Sequence, residues 1–208
     1  MTDFEKIDNW IQINAERIGK FSLQQPASNE QIQELEQLIG QPLPQDFKRL
    51  YQWHNGLNDE ENFGSLFFGM DFFSIDGIIA EFNYRQQNAA DENIVLKTVD
   101  KGINPLDIYN PNWLKFAFDG AHTGLYLDLS PTAEGTYGQI LFIDDEYEIG
   151  ILVADSTNKL VSDFANDLEA NLYSLDAEAL DDGNHYLEAD STIDIVNWQD
   201  SEKWNRIL

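Results

Sequence analysis

Cysteine is absent from this chain of 208 residues, which excludes disulfides, thiolate metal ligands and thiol catalysis and suits a reducing compartment. Basic side chains are scarce: 12 lysines and arginines stand against 38 aspartates and glutamates, a net charge of −26. A field of that sign repels phosphate backbones and anionic lipid, so neither nucleic acid nor a membrane is an expected partner, whereas a basic protein is drawn in. The plainer alternative is that the acidity serves only to keep the protein in solution. Long apolar runs are missing too: none approaches the roughly 18 residues of a membrane span. The first twenty residues, MTDFEKIDNWIQINAERIGK, alternate charge with apolar groups and lack the core of a signal peptide, so a cytoplasmic protein is expected. Gly-x-Ser-x-Gly, the phosphate-binding Gly-Lys-Thr and the dinucleotide Gly-x-Gly-x-x-Gly do not occur. His54, His122 and His185 lie far apart in sequence and outside any metal-ligand spacing. No catalytic residue, cofactor or metal is assigned.

At this length one domain is the expected organisation, with roughly 70% of the unfolded surface buried. Ile7, Trp10, Ile11 and Ile18 form a helical stripe that ends near Gly19. Ser28-Asn29-Glu30-Gln31 is a capping-box sequence, Ile32, Leu35, Leu38 and Ile39 follow on one face, and Gly40 supplies a stop. Pro44 opens a third helical pattern through Phe47, Leu50, Tyr51 and His54, ended by Asn55-Gly56, and the second and third helices are expected to pair as a hairpin. Short strands are expected at residues 66–68 and 72–75, followed by a helix capped by Asp76 with Ile78, Ile79 and Phe82 facing inward.

From Trp113 onward the period is two. Leu114, Phe116 and Phe118 alternate with Trp113, Lys115 and Ala117, and Leu125, Leu127 and Leu129 alternate with Tyr126, Asp128 and Ser130. Residues 140–143 are apolar on both faces, as a central strand requires, and residues 149–153 form another strand. Leu160, Val161, Phe164, Leu168 and Leu172 make a closing helix that should lie across the apolar face of the sheet. Residues 174–208 carry 9 acidic and 2 basic side chains, yet keep Tyr186, Leu187, Ile193, Ile195, Trp198 and Trp204, more large apolar groups than a disordered tail contains.

Several of these pieces together carry a family pattern. After LPQDFKRLYQWHNG (residues 43–56) and FGSLFFGMDFFSIDGIIAEF (residues 63–82) come a Trp-led strand at Trp113 and an Asp119-Gly120 turn. GLYLDLSP (residues 124–131) follows, then Gly135-x-x-Gly138-Gln139-Ile140, then Val153-Ala154-Asp155 before the amphipathic helix. The series resembles the SUKH superfamily, the fungal cell-wall assembly regulators and their bacterial relatives. The resemblance implies an α+β fold in a single domain, a mostly antiparallel twisted sheet with helices packed on one face. It covers residues 28–173, leaving an N-terminal helical extension, residues 1–27, and an acidic C-terminal extension, residues 174–208, packed on the same domain. It also implies a non-enzymatic protein-binding role. Bacterial members are understood as immunity proteins that neutralise toxins delivered between cells, and fungal members as regulators of wall synthesis.

The residues themselves suggest two binding surfaces. Trp113, Lys115, Tyr126 and Asp128 share the mixed face of the sheet, where aromatic anchors and charges resemble a protein-binding patch. The alternative is that neighbouring elements bury the two aromatics and Asp128 merely closes a turn onto Ser130-Pro131. Trp53 falls off its helix's apolar stripe just ahead of Asp59, Glu60 and Glu61, an aromatic anchor beside an acidic rim; against it stands ordinary packing of the indole. Acidic pairs such as Asp59-Glu60, Asp144-Asp145 and Asp181-Asp182 invite a glycosidase reading, but 38 carboxylates in 208 residues create adjacent pairs by chance. The expected partner is therefore a basic protein such as a toxin domain, or alternatively several components of wall assembly.

Overall fold

The computed structural model describes residues 1–58, 64–89, 94–105 and 108–207. Side-chain capping decides where most of its helices start. The Thr2 hydroxyl accepts from the Glu5 amide while the Glu5 carboxylate accepts from Thr2, which starts α1 (Asp3–Asn14). Ser28 and Gln31 make the same reciprocal pair at α2 (Asn29–Ile39), and Gly40, left-handed at φ 71°, ends it. Helix α3 (Gln45–Trp53) begins after Pro44. Helices α2 and α3 touch through the Lys48–Glu36 ion pair at 2.7 Å, but α2 packs chiefly on α4 (Ile75–Asn88) and α3 on α5 (Thr157–Glu169), so the expected hairpin is not formed. Ser74, not Asp76, caps α4, its hydroxyl accepting from the Gly77 amide at 3.0 Å. Ser156 caps α5, which buries Leu160, Val161, Phe164 and Leu168 as its periodicity predicts, while Leu172 lies past the helix end at Glu169 and is only partly buried.

Six strands form the sheet: β1 (Asp71–Phe72), β2 (Thr98–Val99), β3 (Trp113–Phe118), β4 (Thr123–Asp128), β5 (Gln139–Asp144) and β6 (Ile149–Ala154), in the order β1-β3-β4-β5-β6-β2. All neighbours are antiparallel except the edge pair of β2 and β6. Strand β5 is interior, as its two apolar faces require. The expected strand at residues 66–68 is instead a 3-10 turn (Phe67–Gly69) with Phe68 at φ 55°, and the following strand is only two residues long. Phe116 is a bulge: Lys115 faces Tyr126, and Ala117 faces Leu125. The alternation therefore slips by one. Phe116 and Ala117 both enter the larger core, and Phe118 turns to the side of Lys115, whose ammonium lies 4.5 Å from the Phe118 ring.

Both sheet faces are covered. On one side Leu114, Phe116, Leu125, Leu127, Ile140, Phe142 and Ile151 meet α1, α2, α3 and α5 in a core. On the other, Trp113, Tyr126, Leu141 and Ile143 are sealed by Leu96, Ile103 and Ile108 from the connection between α4 and β3. The chain ends belong to the larger core. Helix α1 contributes Ile7 and Ile11 against α5, and a π-helical turn (Ile18–Ser22) buries Ile18. Beyond α5 come β7 (Tyr173–Leu175), α6 (Ala177–Asp181) and β8 (Leu187–Ala189), a two-stranded pair, followed by Ile193, Ile195, Trp198 and Trp204, all buried. The molecule is a single α+β domain. No helix of the described residues is long and apolar enough to cross a membrane.

Candidate functional site

The mixed face of the sheet does not form the exposed patch expected from its sequence. Trp113 and Asp128 are fully buried, Tyr126 nearly so, and the Lys115 side chain keeps little exposure. The Asp128 carboxylate accepts from the Trp113 indole at 3.0 Å, the Ser130 amide at 2.8 Å and the Gln139 side chain at 2.8 Å. Burial raises its pKa, and those three donors oppose the rise. Gln139 also donates to the Gly102 carbonyl at 3.0 Å and accepts from the Thr136 amide. Gly135 closes the knot, because a Cβ there would stand 2.4 Å from the Gly102 oxygen. Asp128 thus joins β3, β5 and two connections, and the Gly-x-x-Gly-Gln signal belongs to packing. Above it, Arg85 of α4 is buried, donates to the Trp113 carbonyl at 2.8 Å and lies 5.1 Å from the Tyr126 ring centre.

Trp53 is half-buried. Its ring stacks on Phe4 with centroids 5.0 Å apart, and its indole nitrogen donates to Asp8 at 3.0 Å, so α1 pins most of it. Asp59, Glu60 and Glu61 lie outside the described residues. His54 does not continue the helical stripe. It is extended, and since the Gln24 carbonyl can only accept, Nδ1 carries the hydrogen of their 2.7 Å contact. A groove of about 440 Å³ runs beside it, lined by Asp8, Ile11, Glu16, Gly19, Lys20 and Leu23. Lys20 already holds the Glu16 carboxylate there at 2.6 Å.

A second groove, of about 400 Å³, lies between β1 and α4 and is lined by Asn58, Asp71, Phe73, Gly77, Ala80, Glu81 and Tyr84. Four of these recur at helical spacing on α4, away from the inward face of Ile75, Ile78 and Arg85. Glu81 holds the Lys115 ammonium at 3.0 Å, and Tyr84 stands 63% exposed. This groove unites an aromatic with two carboxylates, the combination sought at Trp53. Sequence reasoning missed it, although the off-stripe position of Tyr84 was a readable signal. Among the described residues no three His, Asp or Glu side chains converge as metal ligands would.

Residues 26–163 match the SMI1 / KNR4 family (SUKH-1). Over 207 residues the chain is 22% identical to the cell wall assembly regulator SMI1 of Saccharomyces cerevisiae, covering 83% of this chain and 40% of that protein. It is 32% identical over 75 residues to a KNR4/SMI1 homolog of Kluyveromyces lactis, 36% of this chain and 13% of that protein. A second homolog, from Debaryomyces hansenii, is 22% identical over 220 residues, 86% of this chain and 37% of that protein. The chain spans at most 40% of the length of these relatives.

Proposed function

Because the chain belongs to the SMI1 / KNR4 family (SUKH-1), we propose that it is a protein-binding module that neutralises one basic protein, such as a toxin delivered between cells. One observation carries the reading: the few cations are spent locally. Lys6, Lys20, Lys48, Lys97, Lys101, Lys115, Lys159 and Arg206 each pair with a carboxylate of this same chain. The net charge of −26 leaves a large excess of acid over base on the chain. A toxin that handles nucleic acid carries basic residues for its substrate, and an electronegative surface competes for them and speeds encounter. No bond-breaking step is assigned to any residue in this reading.

The test is affinity capture by the full chain in its native source, followed by co-expression with the captured protein. The expected result is one dominant basic partner, rescue of growth, and an association rate that falls as salt is raised. A complex indifferent to salt, or rescue by an unfolded truncation, overturns the mechanism. The name of the Saccharomyces relative favours a second reading, a regulatory scaffold in cell-wall assembly. That reading predicts several captured wall-synthesis proteins and a wall-stress phenotype on deletion.

A further inference from the structure

We propose that the groove between β1 and α4 receives an arginine side chain of the protein partner, its guanidinium lying against the Tyr84 ring and facing Asp71 and Glu81. The inference rests on the protein-binding reading and adds to it the place and the chemistry of contact.

Shape comes first. Small residues on α4, Gly77 and Ala80, leave the space, Phe73 supplies an apolar wall and Tyr84 stands at the end of the same helical row. Gly77 eases this close approach, since a Cβ there would meet Phe73 Cβ at 3.3 Å. The volume of about 400 Å³ lies within the roughly 300–1,000 Å³ range of ordinary ligand sites. Charge comes second. Among the described residues two carboxylates, Asp71 and Glu81, line the groove and no cation does, and an incoming cation shares Glu81 with Lys115. Lys115, the ion-pair partner of Glu81, is mostly buried and its ammonium lies over the Phe118 and Tyr126 rings. Arg85, next to Tyr84 in sequence, turns inward to the Trp113 carbonyl. Neither presents its charge as part of the lining. The ring comes third. Tyr84 is among the most exposed large side chains, and its side chain has no ring or hydrogen-bond partner among the described residues.

These features select arginine over lysine. A guanidinium is planar, so it can stack on a phenol ring while its fork of N–H groups reaches carboxylates, and it sheds water more readily than an ammonium. The interior already uses that pairing, with Arg85 over Tyr126.

The experiment titrates the isotopically labelled full chain with a tri-arginine peptide, and with lysine and citrulline peptides of equal length. Amide shifts are expected to concentrate at Asp71, Gly77, Ala80, Glu81 and Tyr84, with lysine binding at least threefold more weakly and citrulline not at all. Tyr84→Ala should weaken arginine binding at least fivefold, and Ala80→Arg, which supplies a tethered guanidinium, should abolish it. Both positions are exposed on a helix and both substitutes are good helix formers, so the fold is retained. Shifts spread evenly over the acidic surface, equal binding of the lysine peptide, or unchanged binding by the two variants overturns the proposal. A captured partner that binds wild type and Ala80→Arg equally also overturns the groove while leaving the protein-binding reading intact. A wild-type chain that takes the peptide in the groove but retains no protein from its source overturns that reading and leaves the groove.

Discussion

Gly56 stands at φ 75°, and a Cβ built on it would lie 2.4 Å from the backbone of Phe73 and Ser74. Its neighbour Asn55 is buried and accepts from the Ile75 amide at 2.9 Å, helping to start α4. The pair therefore locks α3 to the next helix, and Gly56→Ala should cost about 2–4 kcal/mol through backbone clash added to an unfavourable φ. Gly120 is the control: φ is 89° there but nothing lies within 4 Å of the added carbon, so Gly120→Ala should cost only about 1–2 kcal/mol. Urea midpoints at constant slope measure both, and equal losses would refute the assigned role of the contact. Asp128→Ala strands three donors, two of them buried, and should cost about 3 kcal/mol, read as a lowered urea midpoint with altered Trp113 fluorescence. The sequence placed Trp113, Lys115, Tyr126 and Asp128 on one face correctly, because period two determines sides. It could not show that the face is closed. The cover comes from Leu96, Ile103 and Ile108, scattered along the connection between α4 and β3.

Helix boundaries written in local chemistry were legible: the Ser28 capping box, the Gly40 stop and the stripe of α5 as far as Leu168 appear as read. Features set by distant partners were not. The Phe116 bulge, the π-helical turn and the left-handed Phe68 are choices of packing, and no local residue pattern announces them. The segment before residue 28 shows the same limit. It lies mostly outside the family match, yet Ile7 and Ile11 of α1 are sealed against α5, and Phe4 and Asp8 hold Trp53. Each fully buried isoleucine contributes roughly 1.5–3 kcal/mol, against a total stability of about 5–15 kcal/mol. Removing residues 1–15 should therefore abolish cooperative unfolding and expose apolar surface to a hydrophobic dye. A truncated chain that melts as sharply as the whole would show α1 to be a detachable extension. The C-terminal segment is tied in by the same kind of contact, for the Trp198 indole donates to Asp144 at 3.0 Å and is almost wholly buried. Trp198→Ala should cost about 3–5 kcal/mol, seen as a lowered denaturation midpoint.

At the scale of the whole molecule, a net charge of −26 makes the folded state repel itself, so salt and protons should both stabilise it. The individual shifts agree in sign. Hydrogen bonding to Asp145 raises the His122 pKa, so the favourable charged pair grows as pH falls through that raised value and is fully present below about 6.5. Burial raises the carboxyl pKa values of Asp128 and Asp167; their folded forms hold protons more tightly, and stability is gained as pH falls through those raised values. Opposing groups act lower. Glu16, through its hydrogen bond with Lys20, and Asp190, through that with Thr192, have lowered pKa values, and their stabilisation is lost only as pH falls through those values, beneath the ordinary carboxylate range. Between pH 8 and pH 5.5 the His122 gain acts without those losses, so the melting temperature should rise. At pH 8, 0.5 M sodium chloride should recover much of that rise by screening the same repulsion, while weakening capture of a basic partner. Calorimetry across that pH range, with and without salt, measures it. A melting temperature that falls on acidification to pH 5.5, or that ignores salt at pH 8, would mean the acid surface is locally compensated and would remove the electrostatic ground for a basic partner.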